Sequence, residues 1–226
     1  ALPFFVAPDI YNHFPFNKWI RPKINLRNLV PLTGEAWVLF CRQPHQDAHT
    51  GSPIRKDGFM IPFEWRRGKS HSEFIPNSLK DLADSVLSFS NRNGNNPQQF
   101  GLHPSFHRFA DKIDFSDEAL IGSNIGSAWG ALAVGLESAR TGFTPLCWPF
   151  SSFQFDKETR KPANVEGIRE KLSVAASYSC REFFVANTQL VEAGTQLAEL
   201  KRQHLPGTDT IKIMGVDSHP GRIIGS

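Results

Sequence analysis

Two residues of this chain have the type and setting for covalent chemistry: Ser127, in Gly126 to Gly142 (GSAWGALAVGLESARTG), and Lys171, in Glu166 to Ala176 (EGIREKLSVAA). The serine stands on a small-residue turn before an Ala-, Leu- and Val-rich segment. A hydroxyl there is presented at a helix start, where the unpaired backbone N–H groups around Gly126 to Ala128 suit a developing oxyanion. Lys171 lies beside Ile168, Leu172, Val174 and Ala175. In apolar surroundings a lysine loses the hydration that favours its ammonium form, and the neutral amine is able to take a proton from a serine. Each residue alone has a plainer explanation. Serine is a common N-cap, and a helical lysine is ordinarily a solvated surface charge.

The elements that must hold this pair follow from the pattern of the chain. A helix is expected from about Ser127 to Arg140, stopped by Thr141-Gly142, then a strand from about Cys147 to Phe155 and a turn-rich stretch. A helix from about Val165 to Ser179, a strand Glu182 to Ala186, a helix Val191 to Gln203 and a strand Thr210 to Val216 complete this half. Upstream, Glu35 to Arg42 reads as a strand that pairs with Gly58 to Trp65, with Pro62 placing the second at an edge or bulge. Asn77 to Asn91 begins with a capping residue and carries a helical stripe of Leu79, Leu82, Val86 and Phe89. The polar run Asn91 to Gln99 reads as a flexible loop, and Lys112 to Phe115 as a strand. Strands alternating with helices imply an α+β domain of mixed sheets with covering helices. The aromatic- and proline-rich start, residues 1–33, reads as an extended arm or linker; 34–217 form one domain, and 218–226 a tail or the start of a linker. A start without Met and a loop-like end at Gly225-Ser226 fit a piece of a longer protein.

Together the two segments resemble the peptidase domain of the Lon family, which uses a Ser-Lys dyad. Members carry a serine in a G-x-S-A-G turn, a small-residue helix ending in Thr-Gly, a hairpin-like region, then G-G-x-K-E-K-x-x-A-A and a strand ending near Pro-x-x-Asn. This chain has GSA at 126 to 128, Thr141-Gly142, GIREKLSVAA at 167 to 176 and FFVANTQ at 183 to 189. The resemblance covers about 110 to 217 well and 34 to 109 faintly. It implies a Lon proteolytic-domain fold (ribosomal protein S5 domain 2-like), Ser127 as nucleophile and Lys171 as general base. Where the family has a threonine bonded to the lysine, Ser152, or in second place Ser151, is expected to make that bond. The sequence departs from the pattern at Gly126, where proline is usual, and at Trp129, where glycine is usual and Gly130 follows one step later. Trp129 is therefore expected to narrow the oxyanion site or to line a substrate pocket. The family's histidines before the nucleophile loop are missing; His103 and His107 lie upstream and read as structural or surface residues.

Composition narrows the partners. The 226 residues are 40% hydrophobic and 21% charged, and 25 basic against 22 acidic residues are interspersed, so no nucleic-acid footprint stands out. Cys41, Cys147 and Cys180 have no metal-ligand spacing and read as reduced thiols of a cytoplasmic protein. No run approaches the ~20 apolar residues of a membrane span. No cofactor or metal is called for, and the expected partner is a protein or peptide substrate. Gly68-Lys69-Ser70 is no P-loop, because Phe63 stands where the motif needs glycine, so unfolding power would come from an AAA+ or sensor module in the same or a partner chain. Two rival readings are carried: an inactive Lon-like scaffold in a larger signalling or defence protein, and a kinase of the GHMP family, whose Gly/Ser-rich phosphate loop GSNIGSAWGAL resembles.

Overall fold

The computed structural model describes residues 32–42, 45–46, 53–54, 57–92, 99–105, 125–144, 150–178 and 180–217. Residues 1–31 of the expected arm at 1–33, the strand at 112–115, most of the 91–99 loop, His107 and Cys147 lie outside them.

Strand β1 (Glu35–Arg42) pairs antiparallel along its whole length with β4 (Asp57–Arg67), from Glu35 opposite Glu64 to Arg42 opposite Asp57. Two short strands between them, β2 (His45–Gln46) and β3 (Pro53–Ile54), form an antiparallel pair. β1 is buried on both faces: Ala36, Val38 and Phe40 enter one core, Trp37 and Leu39 the other. That explains its near-continuous apolar run.

A third strand, β5 (Phe100–Pro104), pairs with the other side of β4, so β4 is central and the edge expected from Pro62 is corrected. The proline is tolerated because of where β5 stops. Its last pair is Pro104 opposite Phe63, and the Pro62 carbonyl accepts from Ser105 N–H just beyond it. A strand residue's N and C=O point to the same side. The donor that proline lacks therefore faces the end of β5, and the ladder to β1 loses nothing.

The second sheet is parallel, in the order β10 (Lys212–Val216), β9 (Glu182–Ala186), β6 (Phe150–Ser152). The single strand expected over Cys147 to Phe155 is corrected to two: after Phe153 the chain leaves this sheet, and β7 (Gln154–Asp156) pairs with β8 (Lys161–Ala163) as a separate hairpin. Four helices complete the described residues: α1 (Asn77–Arg92), α2 (Trp129–Thr141), α3 (Ile168–Ser177) and α4 (Leu190–Arg202). α3 and α4 are the crossovers that parallel strands require.

The alternation of β9 sorts the helices. Phe184 and Ala186 pack in the core with α1 and α2, whereas Phe183 and Val185 pack in the core with α3 and α4. The result is a mixed α+β architecture with antiparallel and parallel sheets and helices on both faces. Among the described residues no helix is long and apolar enough to cross a membrane.

Candidate functional site

Ser127 lies in a 3₁₀ turn, Ile125–Ala128, that runs directly into α2. The helix therefore begins at Trp129, two residues later than the sequence suggests. Its N-cap is Ala128, which has no capping side chain, and Ser127 stands one residue before that cap. At the other end Gly142 takes the left-handed conformation (φ 73°) and its N–H donates to the Ser138 carbonyl, the expected Thr-Gly stop.

Gly130 brings the start of α2 close to the strand segment. Its N–H donates to the Phe153 carbonyl at 3.3 Å, and a Cβ at this position would meet the Phe153 ring at 2.6 Å. The glycine that follows Trp129 thus has a packing reason of its own.

Lys171 is 0% exposed, with Nζ closed to solvent, on the face of α3 that also buries Ile168, Leu172 and Ala175. A solvated surface charge is ruled out for it. An amine so enclosed has lost the hydration that stabilises its ammonium form. Ser127 is likewise 0% exposed.

The strand between these two residues is β6. It lies within 8 Å, Cα to Cα, of the Ser127 turn, of α3 and of β1. β1 in turn lies within the same distance of the turn and of α3. No backbone ladder joins β1 to β6 among the described residues. The Ser127 turn and the Lys171 helix therefore border one seam between the two sheets, from opposite faces.

Ser151 and Ser152 are both fully buried on β6, and their hydroxyls find no hydrogen-bond partner among the described residues. Strand alternation separates them. Phe150 belongs to the core of α3 and α4, so Ser152, two residues on, shares the face of the lysine helix, and Ser151 faces α2. A buried hydroxyl without a partner is costly, and its presence twice in one strand needs a reason.

Trp129 is 2% exposed and anchors an aromatic cluster: it stacks on Phe155 with centroids 4.5 Å apart, and Phe89 meets both rings edge-on. These rings line one side of a cleft of about 580 Å³ that reaches Gly126, the residue before Ser127. Trp129 thus lines a cleft that reaches the residue before Ser127. Lys157 and Arg160, at the tip of the β7–β8 hairpin, line the cleft as well. Sequence reading missed Phe89, Phe155, Lys157 and Arg160. The available signal was the alternation of Phe153 and Phe155 just before a turn with three cations (DKETRK).

The hairpin tip is held by Asp156, whose Oδ1 accepts the backbone N–H groups of Glu158 at 2.8 Å and Thr159 at 3.0 Å. The bonds from Thr159 and then Glu158 lower the Asp156 pKa below its ordinary value of 3.8. His103, on β5, is half-buried, and its Nε2 is closed to solvent without a partner among the described residues. Burial, and then the Arg66 charge, lower its pKa from 6.5. It lies opposite Glu64 in the sheet, which is a structural position.

The arrangement supplies a buried hydroxyl, a buried amine and the N–H groups of a helix start around one seam, beside an aromatic cleft. No protein-family model matches the chain, and no curated protein matches its sequence.

Proposed function

We propose that the chain is a Lon-like serine endopeptidase, with the Lon proteolytic-domain fold, in which Ser127 is the nucleophile and Lys171 the general base. The observation that carries the reading is the complete burial of Lys171 on a helix that borders the same seam as the Ser127 turn. Lysine is seldom fully buried unless it is paired, and the unprotonated amine is the form that activates a serine hydroxyl.

In this mechanism the Lys171 amine removes the Ser127 proton while Oγ bonds to the scissile carbonyl carbon. Backbone N–H groups around Gly126 to Ala128 stabilise the oxyanion. The protonated Lys171 then gives its proton to the leaving amine as the C–N bond breaks. Water, deprotonated by the same amine, hydrolyses the acyl-enzyme and returns Ser127. Ser152, on the lysine side of β6 but not bonded to Lys171 in this structure, would orient the amine once the seam opens. A cytoplasmic setting fits the burial of Cys41 and Cys180 in the core. Folded substrates would need an AAA+ or sensor module to unfold them; flexible segments would not.

One observation favours a second reading, a Lon-like scaffold without activity: Ser127 itself is 0% exposed. In the enzymatic reading the seam opens to admit a peptide. Incubation of unstructured proteins with the chain and its Ser127→Ala and Lys171→Ala variants decides between them. The peptidase reading expects cleavage by the native chain and losses of several orders of magnitude in both variants. Cleavage unchanged in both would remove the dyad, and no cleavage by any form would favour the scaffold.

A further inference from the structure

The cleft beside Ser127 has three chemically different sides. Its aromatic side is built from Phe89, Trp129 and Phe155, the last two stacked 4.5 Å apart. Opposite charges are unevenly shared between the other two. α1 contributes Ser78, Asp81, Ser85 and Ser88, while the β7–β8 hairpin contributes Lys157 and Arg160. Both hairpin cations are exposed, whereas Asp81 is the single acidic residue lining the cleft among the described residues.

The polar residues of α1 recur at 78, 81, 85 and 88, the spacing that places them on one face of a helix. From Ser78 to Phe89 that face is roughly 16 Å long, enough for about five residues of extended chain. The cleft reaches Gly126, next to Ser127. Its length, its hydrogen-bonding wall and its position match a strand-like ligand better than a compact one.

We propose that this cleft binds an extended peptide segment in which an aromatic residue is flanked by acidic ones. The aromatic side chain packs against the Trp129–Phe155 stack, in the offset or edge-on geometries that rings prefer. The flanking carboxylates face Lys157 and Arg160, and the serines of α1 bond the peptide backbone. Asp156 serves this site indirectly: by accepting two N–H groups of the turn it fixes the positions of both cations. As the substrate preference of a peptidase, the proposal rests on the Ser127 reading above. As a binding site it does not.

The test is therefore a binding measurement on the full chain carrying Ser127→Ala, which leaves peptides uncut. Fluorescein-labelled decapeptides of one scaffold are titrated by fluorescence polarisation: one with Phe between Asp and Glu, one with Phe between lysines, and one with Gly between Asp and Glu. The acidic aromatic peptide is expected to bind at least about tenfold more tightly than either control, with affinity falling as salt rises. Lys157→Glu/Arg160→Glu should abolish the advantage over the lysine peptide, and circular dichroism should report an unchanged fold for these two exposed sites. Equal affinity for the three peptides, or an advantage untouched by the double charge reversal, overturns the proposal. The native chain is assayed in parallel for cleavage. Selective binding without cleavage keeps the site and removes the peptidase reading; cleavage indifferent to the flanking charges removes the site and keeps the peptidase.

Discussion

Gly130 and Phe153 are in contact through both backbone and side chain: the glycine N–H donates to the phenylalanine carbonyl at 3.3 Å, and the space a Cβ would fill belongs to the Phe153 ring. Phe153 is fully buried and immediately follows Ser152, so this contact ties the start of α2 to the strand at the seam. Gly130→Ala should therefore destabilise the fold by about 1–3 kcal/mol, although alanine is the better helix former. Urea unfolding checks this, and a stabilised variant would contradict the packing assigned to Gly130.

Lys171 separates stability from chemistry. Lys171→Met keeps most of the side-chain volume and should therefore cost less stability than Lys171→Ala. Lys171→Ala leaves a cavity and should cost about 2–5 kcal/mol. Both should be inactive. A Lys171→Met variant that is stable and still cleaves would exclude the lysine as base.

Ser152 offers a finer division. Its buried hydroxyl has no partner among the described residues, so Ser152→Ala should leave stability unchanged or raise it by a few tenths of a kcal/mol. In catalysis the same variant should lower kcat about tenfold and leave KM alone, and Ser152→Thr should restore the rate. A lowered stability with an unaltered kcat would assign the serine a purely structural part.

For His103 the expected pH dependence has a definite sign. Burial, followed by the Arg66 charge, lowers its pKa in the folded protein, so between that lowered value and 6.5 the unfolded chain binds more protons. Stability therefore rises with pH through this window, is fully present above 6.5 and is lost as pH falls toward the folded value. Proton NMR should show the His103 ring titrating below 6.5, and His103→Gln should flatten the stability profile there. A ring titrating above 6.5 would reverse the sign.

Much of the fold was legible because its strands and helices have unambiguous patterns. Glu35–Arg42 and Glu182–Ala186 form strands at their expected bounds, and α1 follows its stripe of Leu79, Leu82, Val86 and Phe89. β5 was not anticipated: five residues with Gly101 and a terminal Pro104, buried on both faces, offer no alternation. The break at Phe153 is equally silent, because a strand that changes sheets keeps its composition. Pro62 misled because local chemistry does not say where a neighbouring strand will stop. At the site, the setting of Ser127 before a helix was readable. The enclosure of Lys171 was legible only through its apolar neighbours Ile168, Leu172, Val174 and Ala175, since Arg169 and Glu170 beside it give the segment the look of a surface helix. The aromatic cleft brings together residues 89, 129 and 155, which no local pattern connects.

The dyad is tested most directly by labelling the native chain with a fluorophosphonate, which bonds only to an activated serine hydroxyl, and locating the adduct by peptide mass spectrometry. A single adduct on Ser127, absent from the folded Lys171→Met variant, is the expected result. An unlabelled Ser127, or one labelled equally well without the lysine, would contradict the assignment of these two residues as nucleophile and base.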